Sequence, residues 1–317
     1  MKQIAVYFSK PGFEEYPFDE AEYREAYHIM GKLLTERGAG MTIVRGLETY
    51  KGGNTFEGGW KYVKGTFERV EGPQTFTLIF NRGNNNNGST RFDAKARVLN
   101  SPELDRYCDD KSETYRIFHQ CSPIGTTVNS AAIVPAALTR IRSELVVCKP
   151  IDGLGGAGIF VVPRTDVLKI IPEYPYIVQE FIDTSGGIPR VAKGMHDFRM
   201  VTINGEILSI FIREPKEGSY LANVSQGASI REFPVEDIPK GALEIFKMVE
   251  KELTWITKRI YCVDVARRKD GKWYLIELNS QPGLSSLDYT GKNDPKKKGD
   301  GAKRYFHKLA DLLAASA

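Results

Sequence analysis

Cysteine is scarce: Cys108, Cys121, Cys148 and Cys262 lie far apart, with no C-x-x-C pair. That excludes a disulfide framework and a cysteine zinc site, and it points to a reducing, cytoplasmic setting. Long apolar runs are missing too. No stretch reaches the ~18 residues a membrane span needs. The opening MKQIAVYFSKPGF holds only a five-residue apolar run, Ile4 to Phe8, too short for a signal-peptide core. Charge of one sign is not in excess either. Lys and Arg number 44 against 40 Asp and Glu, which gives no case for nucleic acid but suits a small anionic ligand. Internal repeats are absent. No Gly-Lys-Ser/Thr follows a glycine loop, so there is no Walker A phosphate loop.

What is present is enough for a folded protein. Of the 317 residues, 41% are apolar and 26% charged, which excludes wholesale disorder. The length corresponds to two or three domains at ~100–200 residues each. Residues 2–8 read as a strand, and residues 19–37 as an amphipathic helix closed by Gly38. Residues 40–44 and 75–80 read as further strands. This is an α/β opening. Residues 46–72, rich in glycine and aromatics, fit neither period. The 75–80 strand runs into Asn81-Arg82-Gly83 and four asparagines. The asparagines suggest a polar loop, but Arg82 at a strand's C-terminal end is a candidate ligand contact. A boundary is expected near 100–115. Beyond it come strands at 145–149 and 159–163, then hairpins, a helix near 240–258, a basic surface loop over 292–304 and a last helix at 303–314.

Gly153-Leu154-Gly155-Gly156-Ala157-Gly158 matches the G-x-G-x-x-G of dinucleotide-binding proteins. That fingerprint requires a helix after the loop, and Ile159-Phe160-Val161-Val162-Pro163 reads as a strand. The loop therefore closes a hairpin, and a dinucleotide oxidoreductase is excluded. Two readings remain for it: a flexible hairpin beside an ordinary lysine, or a backbone cradle for phosphates with Lys149 adding charge.

Residues 261–279 contain Asp270-Gly271, a two-residue turn signal. Pairing outward from it sets Asp264 opposite Glu277, with Asn279 on the same face and Val263, Val265, Ile276 and Leu278 on the other. Like charges directly opposed in a sheet repel. A divalent cation with a taste for oxygen ligands removes that cost, so the trio is a candidate Mg²⁺ site, with Mn²⁺ as an alternative; the other reading is two solvated acids on an exposed hairpin face. A second hairpin turns at Asn204-Gly205, with Asp197 and Arg199 on one face and Arg213 at the far end of the partner strand. These arginines could clamp phosphate or carboxylate, or be ordinary surface charge.

The order of these motifs resembles the ATP-grasp superfamily, in particular the glutathione synthetase-like and RimK-like carboxylate–amine ligases. The segments that carry the resemblance are VVCKPIDGLGGAGIF (146–160), YIVQEFI (176–182), DFRMVTINGEI (197–207), REP…YLANVSQGAS (213–229) and VDVAR…YLIELNSQPGL (263–284). The resemblance implies a mixed α/β fold: an N-terminal pre-grasp domain (1–110), a central subdomain with a glycine-rich lid (111–182) and an antiparallel catalytic subdomain (183–317). It implies that Lys111 and Lys149 contact ATP phosphates and that Gly153, Gly155, Gly156 and Gly158 belong to the lid. Gln179, Glu180, Phe181 and Ile182 would line the adenine pocket, and Asp197 would lie near the ribose. Arg199, Arg213 and Lys149 would serve catalysis, and Asn223 would shape the acceptor side. Asp264, Glu277 and Asn279 would hold magnesium. The implied reaction joins a small-molecule or peptide carboxylate to an amine through an acyl-phosphate, releasing ADP and phosphate. A phosphotransferase and a non-catalytic ATP-binding regulator are the alternatives. Homo-oligomers are common among such ligases.

Overall fold

The computed structural model describes residues 2–83, 92–152, 156–171, 173–222, 227–292 and 300–317. Three sheets organise it. The first is built around parallel strands β1 (Lys2–Phe8), β2 (Ala39–Arg45), β6 (Leu78–Asn81) and β7 (Val98–Leu99) in the order β2-β1-β6-β7. Helix α1 (Ala21–Glu36) crosses between β1 and β2 and buries Tyr27, Met30, Leu33 and Leu34, as its 3.6-residue apolar spacing dictates. An antiparallel extension, β3 (Tyr50–Gly52), β4 (Thr55–Val63) and β5 (Thr66–Thr75), continues the sheet beyond β2.

This extension is the stretch whose period was unreadable. A bulge between Glu57 and Gly59 breaks the two-residue alternation. A Cβ on Gly59 would stand 2.8 Å from the Ile43 carbonyl oxygen, so only glycine lets β4 approach β2 so closely. β5 also takes Thr75, so the strand expected at 75–80 begins only at Leu78.

Helices α2 (Pro102–Asp109) and α3 (Lys111–Phe118) lead out of this sheet. Asp110 caps α3 by accepting from the Ser112 and Glu113 N–H groups, which fixes Lys111 in its first turn. The second sheet has β8 (Gly125–Val128), β9 (Leu145–Pro150), β10 (Phe160–Pro163) and β11 (Tyr176–Glu180) in the order β10-β9-β11-β8. β9 and β10 pair antiparallel, Cys148 opposite Phe160, and no helix follows the glycine loop. Short helices α4 (Val134–Thr139) and α5 (Val167–Ile170) cover this sheet.

The third sheet runs β14-β13-β12-β15-β16, with β12 (Asp197–Ile203), β13 (Glu206–Glu214), β14 (Ser229–Phe233), β15 (Ile260–Arg267) and β16 (Trp273–Asn279). The Asn204-Gly205 turn has positive φ at both residues, 51° and 85°, the geometry that matches the twist of a two-residue hairpin. Helix α6 (Lys240–Leu253) packs Ala242, Ile245, Phe246 and Val249 into the core on one side of this sheet. After the short α7 (Ser286–Thr290), α8 (Gly301–Ser316) fills the other side. Its Phe306, Leu309 and Leu313 join Val6 and Phe80 of the first sheet and Val201 and Cys262 of the third in one core. That shared core holds the first and third sheets together. The basic stretch read as a surface loop lies outside the described residues at 293–299, and its last residues belong to α8.

Candidate active site

The β15–β16 hairpin is where the site begins. Asp264 does stand opposite Glu277. The route to that pairing differs from a two-residue turn. The loop is Lys269-Asp270-Gly271, closed by Arg268 N–H to the Lys272 carbonyl at 2.9 Å, so pairing starts with Arg267 opposite Trp273. On that register Asp264 would face Ile276. A bulge between Asp264 and Val265 absorbs the extra residue and restores Glu277. The bulge also corrects one expected core position. Leu275 is the residue buried with Val263, Val265 and Leu278, while Ile276 turns to the cleft on the other side.

Charges from all three strands of the sheet's centre meet at Asp264. Register sets Asp197 opposite Arg213 and Arg199 opposite Asp264. Arg199 grips Asp264 with two donors, Nε to Oδ1 at 2.7 Å and Nη2 to Oδ2 at 2.6 Å. Arg213 Nη2 donates to the same Oδ2 at 2.7 Å and, with Nε, holds Asp197 at 2.6 and 3.0 Å. Asp264 is 1% exposed and Arg213 4%. The like-charge problem inferred from the sequence is therefore met here by two guanidinium groups. Burial works against the Asp264 charge, but Arg199 and Arg213 outweigh it and hold that carboxyl below the usual range. Asp197 goes the other way. Burial pushes it up to about 6, Arg213 opposing and Asp264 reinforcing. Of the pair, Asp197 takes up a proton first as pH falls.

Two lysines approach from elsewhere. Lys149 on β9 and Lys111 on α3 are both buried. Lys111 Nζ lies 3.3 Å from Glu277 Oε1. Lys149 Nζ donates to the Ile276 carbonyl at 3.2 Å, the residue the bulge turns toward the cleft. Burial lowers the Lys149 pKa, Glu277 opposes this and Lys111 adds to it. Asn279 shares Glu277's face, and its side-chain oxygen accepts from the Gln281 N–H at 2.7 Å.

Between the second and third sheets lies a cavity of about 120 Å³. Lys149, Gln179, Glu180, Phe181, Ile182, Asp197, Arg213 and Glu277 all line it, with Val161 and Ile276 supplying apolar wall. The Glu180 N–H donates to the Ile124 carbonyl at 2.7 Å, so a ligand's polar edge could meet only its carbonyl. Arg199 pairs with Asp264 beside this cavity, and Lys111 and Lys149 line a smaller one adjoining it. Gly153, Gly155 and Asn223 lie outside the described residues. Gly156 and Gly158 have φ of 83° and 70°, and the Gly158 carbonyl accepts from the Tyr176 hydroxyl at 3.3 Å.

Sequence reasoning missed three contributors. His196 lines the cavity from the residue before Asp197, pinned through Nδ1 to the Gly194 carbonyl at 2.9 Å. Tyr220 packs edge-on against Phe181 at 5.1 Å. Arg268 holds the Glu180 carboxylate at 3.1 Å, and nothing in its charged, turn-like neighbourhood signals that partner. Among the described residues no three His, Cys, Asp or Glu side chains form a ready metal cluster. The candidate set of Asp264, Glu277 and Asn279 instead mixes two carboxylates with an amide oxygen, an all-oxygen donor set that fits a hard divalent cation.

Comparison with known proteins agrees with this architecture. A family model described as the RimK-like ATP-grasp domain matches residues 122–298. The chain belongs to that family. Among curated proteins, it is 24% identical over 172 residues to a probable alpha-L-glutamate ligase of Thioalkalivibrio sulfidiphilus, covering 52% of each chain. It is 27% identical over 151 residues to a glutathione synthetase of Synechococcus elongatus, covering 45% of this chain and 43% of that one. The chain spans about half the length of the curated relatives it matches. Solved structures extend the likeness of fold to the whole chain. The VanG D-Ala:D-Ser ligase of Enterococcus faecalis superposes with a TM-score of 0.64 at 14% identity over 99% of both chains. A RiPP-associated ATP-grasp ligase of Chryseobacterium gregarium, solved with ADP and a leader and core peptide, gives 0.62 at 15% over 100% of this chain and 98% of that one. The fold is thus the ATP-grasp fold expected from the sequence.

Proposed function

We propose that the protein is an ATP-dependent carboxylate–amine ligase, and that the cavity between the second and third sheets takes the nucleotide. The observation that carries the reading is the convergence of Arg199 and Arg213 on buried Asp264 and of Lys111 and Lys149 on Glu277 and the neighbouring Ile276 carbonyl, at the cavity's polar end. Names of relatives support it: both a glutamate ligase and a glutathione synthetase join an acid to an amine.

In this reading the adenine lies against Gln179 to Ile182, with the Glu180 carbonyl and the Ile182 backbone meeting the base edge and Asp197 near the ribose. The triphosphate runs toward Lys149 and Lys111, whose charges offset those of the phosphates. Asp264, Glu277 and Asn279 would hold Mg²⁺, which when bound neutralises phosphate charge during transfer. Arg199 and Arg213 carry the planar donor fork that matches phosphate and carboxylate oxygens. They would orient the acid substrate as its carboxylate oxygen attacks the γ-phosphorus and ADP leaves. An amine then attacks the acyl carbon, and phosphate departs as the amide forms. Here the arginines' role is to stabilise charge on the tetrahedral centre. Glycines 153–158 would close over the phosphates and keep water from the acyl-phosphate. Asn223 would shape the amine's side of the site. No helix among the described residues is long and apolar enough to cross a membrane. All four cysteines are free and buried, which accords with a cytoplasmic setting.

The test is ATP-dependent phosphate release with Mg²⁺ across a matrix of acids, amino acids and short peptides, with mass spectrometry on each hit. An adduct at the summed mass of acid and amine minus water is the expected product. A phosphorylated product with no amine requirement would replace the ligase by a phosphotransferase. ATP binding without release anywhere in the matrix would point to a regulatory module.

A further inference from the structure

Two arginines of the first sheet are held by their surroundings. Both Nη atoms of Arg45 donate to the carbonyls of Lys10, Phe13, Glu15 and Tyr16 at 2.9–3.4 Å. Its guanidinium lies between the Phe8 and Phe18 rings at 5.0 and 5.1 Å. It is a structural pin. Arg82, the candidate ligand contact at the end of β6, is buried and hydrogen-bonded to Tyr27. Arg97 differs. It immediately precedes β7, the edge strand of the sheet. Its Nη2 donates to the Ser316 carbonyl at 2.8 Å, at the C-terminal end of α8. Its remaining side-chain donors have no partner among the described residues, and no carboxylate pairs with it there.

Arg97 lines a cavity of about 320 Å³, within the range of roughly 300–1,000 Å³ typical of small-molecule sites. The cavity lies at the N-terminal ends of β6 and β7, marked by Leu78 and Val98. That is the opposite end of those strands from Asn81 and Arg82. It shares no lining residue with the cavity between the second and third sheets.

Three features of its wall ask for a ligand. The loop after α6 brings Lys258, a second cation that forms no ion pair among the described residues. Glu103 is the one carboxylate in the lining, so two cations face one anion. The same loop brings Trp255, 57% exposed. Its indole touches the Tyr107 ring edge-on, 6.1 Å between centroids, and an indole left this exposed is unusual in a soluble domain. Ser316 also lines the cavity. It is 2% exposed, and its Oγ is buried with no hydrogen-bond partner. Leaving a buried hydroxyl unmet is costly unless a ligand or water meets it.

We propose that this cavity is a second binding site, for a small organic anion: a carboxylate or phosphate carried on a planar ring. Arg97 and Lys258 take the anion, the arginine through its planar donor fork, and the Ser316 hydroxyl completes the polar end. Trp255, with Leu78, Val98 and Ile256, takes the ring, by the offset or edge contacts aromatic pairs favour. The inference does not depend on the ligase reading, because the cavity lies outside the nucleotide site.

The test is NMR of the full ¹⁵N-labelled chain, without nucleotide, titrated with benzoate, phenyl phosphate and the uncharged benzamide. The chain has three tryptophans, so three indole N–H signals report, and Trp255→Phe assigns one of them. Benzoate or phenyl phosphate should move the Trp255 signal saturably and leave those of Trp60 and Trp273 in place. Which of the two binds more tightly names the anionic group. Benzamide should move it only weakly and without saturation. Lys258→Met, an exposed change, should weaken the anion several-fold, and Arg97→Met with Lys258→Met at least tenfold, as expected for lost charge-assisted hydrogen bonds. Ser316→Ala should weaken it several-fold. No saturable movement with either anion, benzamide binding as tightly as both, or undiminished affinity in Lys258→Met overturns the proposal. Lys258→Met carries the decision should the double variant fail to fold. Phosphate release from ATP is measured separately, so the failure of one reading leaves the other standing.

Discussion

Replacing Asp264 by asparagine separates two accounts of what that carboxylate does before any ligand binds. If Asp264 mainly repels Glu277 across the hairpin, neutralising it should stabilise the free protein. The geometry argues the reverse. Asp264 is 1% exposed and accepts three guanidinium contacts of 2.6–2.7 Å. Removing one partner of a buried ion pair costs about 3–5 kcal/mol, because the other charge is left uncompensated. Asp197 remains to satisfy part of Arg213, so the lower end, about 3 kcal/mol, is expected. With an unfolding entropy of ~2.1 cal/mol/K per residue, that is a fall in Tm of roughly 4–5 °C for a chain of this length. Glu277→Gln is the contrasting case. Glu277 is 24% exposed with a single lysine at 3.3 Å, and its loss should change stability by no more than about 1 kcal/mol. Urea unfolding of both variants at pH 7.5, without nucleotide or divalent ions, measures the difference. Both should lose ATP-dependent phosphate release. An Asp264→Asn protein as stable as wild type, or more so, would refute the claim that the arginines rather than a cation neutralise this pair in the free protein.

Two further outcomes follow from buried groups away from Asp264. Arg45→Met should cost on the order of 3 kcal/mol, since the backbone carbonyls it caps lose their donor, and amide exchange over residues 10–18 should accelerate while the rest of the chain is unaffected. Asp109, which accepts from the Ser280 hydroxyl at 3.4 Å, is pushed up to about 6 by burial, Ser280 and Lys111 opposing and Glu277 adding. The folded state therefore holds its proton more tightly than the unfolded chain between about pH 4 and 6. That contribution is fully present below pH 4 and lost as pH rises through 6. Asp109→Asn should flatten this part of the stability–pH curve, by at most about 3 kcal/mol. An unchanged curve in urea titrations from pH 4 to 7 would remove Asp109 as its source.

Much of the site was legible because its hairpins announce their turns, although a bulge in each resets the pairing beyond the turn. Asn204-Gly205 is a turn signal with a single favoured geometry, and from it Asp197 and Arg199 fall on one face, but regular pairing would set Asp197 opposite Ile212, and only a bulge between Val201 and Thr202 brings Arg213 opposite Asp197. The β9–β10 hairpin was legible for a similar reason: Ile159 to Val162 is too β-branched and aromatic to open a helix. Illegible features depended on tertiary context. The β3–β5 extension hides its alternation behind a glycine bulge required by a neighbouring strand. Neither Lys111 meeting Glu277 nor Arg268 meeting Glu180 is encoded in any local pattern, since each pair is brought together by the packing of separate elements.

The β15–β16 hairpin shows most clearly how a correct pairing can rest on an incomplete reading. A three-residue turn moves the register by one and the bulge moves it back, so Asp264 and Glu277 meet either way. Leu275 and Ile276 are both apolar, so no polar–apolar pattern could reveal which of them leaves the core. The bulge is then unnecessary for the carboxylate pair. What it adds is the Ile276 carbonyl, 3.2 Å from Lys149 Nζ, and an apolar side chain in the cavity wall. Deleting Ile276 should accordingly leave a regular hairpin in which Val265 still faces Leu275 and Asp264 still faces Glu277. Lys149, buried and already lowered in pKa, would lose its neutral acceptor. The expected result is a folded protein within about 2 kcal/mol of wild type, since one hydrogen bond and part of one side chain's burial are lost. ATP affinity should drop at least tenfold, by calorimetry. A deletion variant that fails to fold would show instead that the bulge sets the register of the whole sheet. One that binds ATP like wild type would show that Lys149 needs no anchor at Ile276.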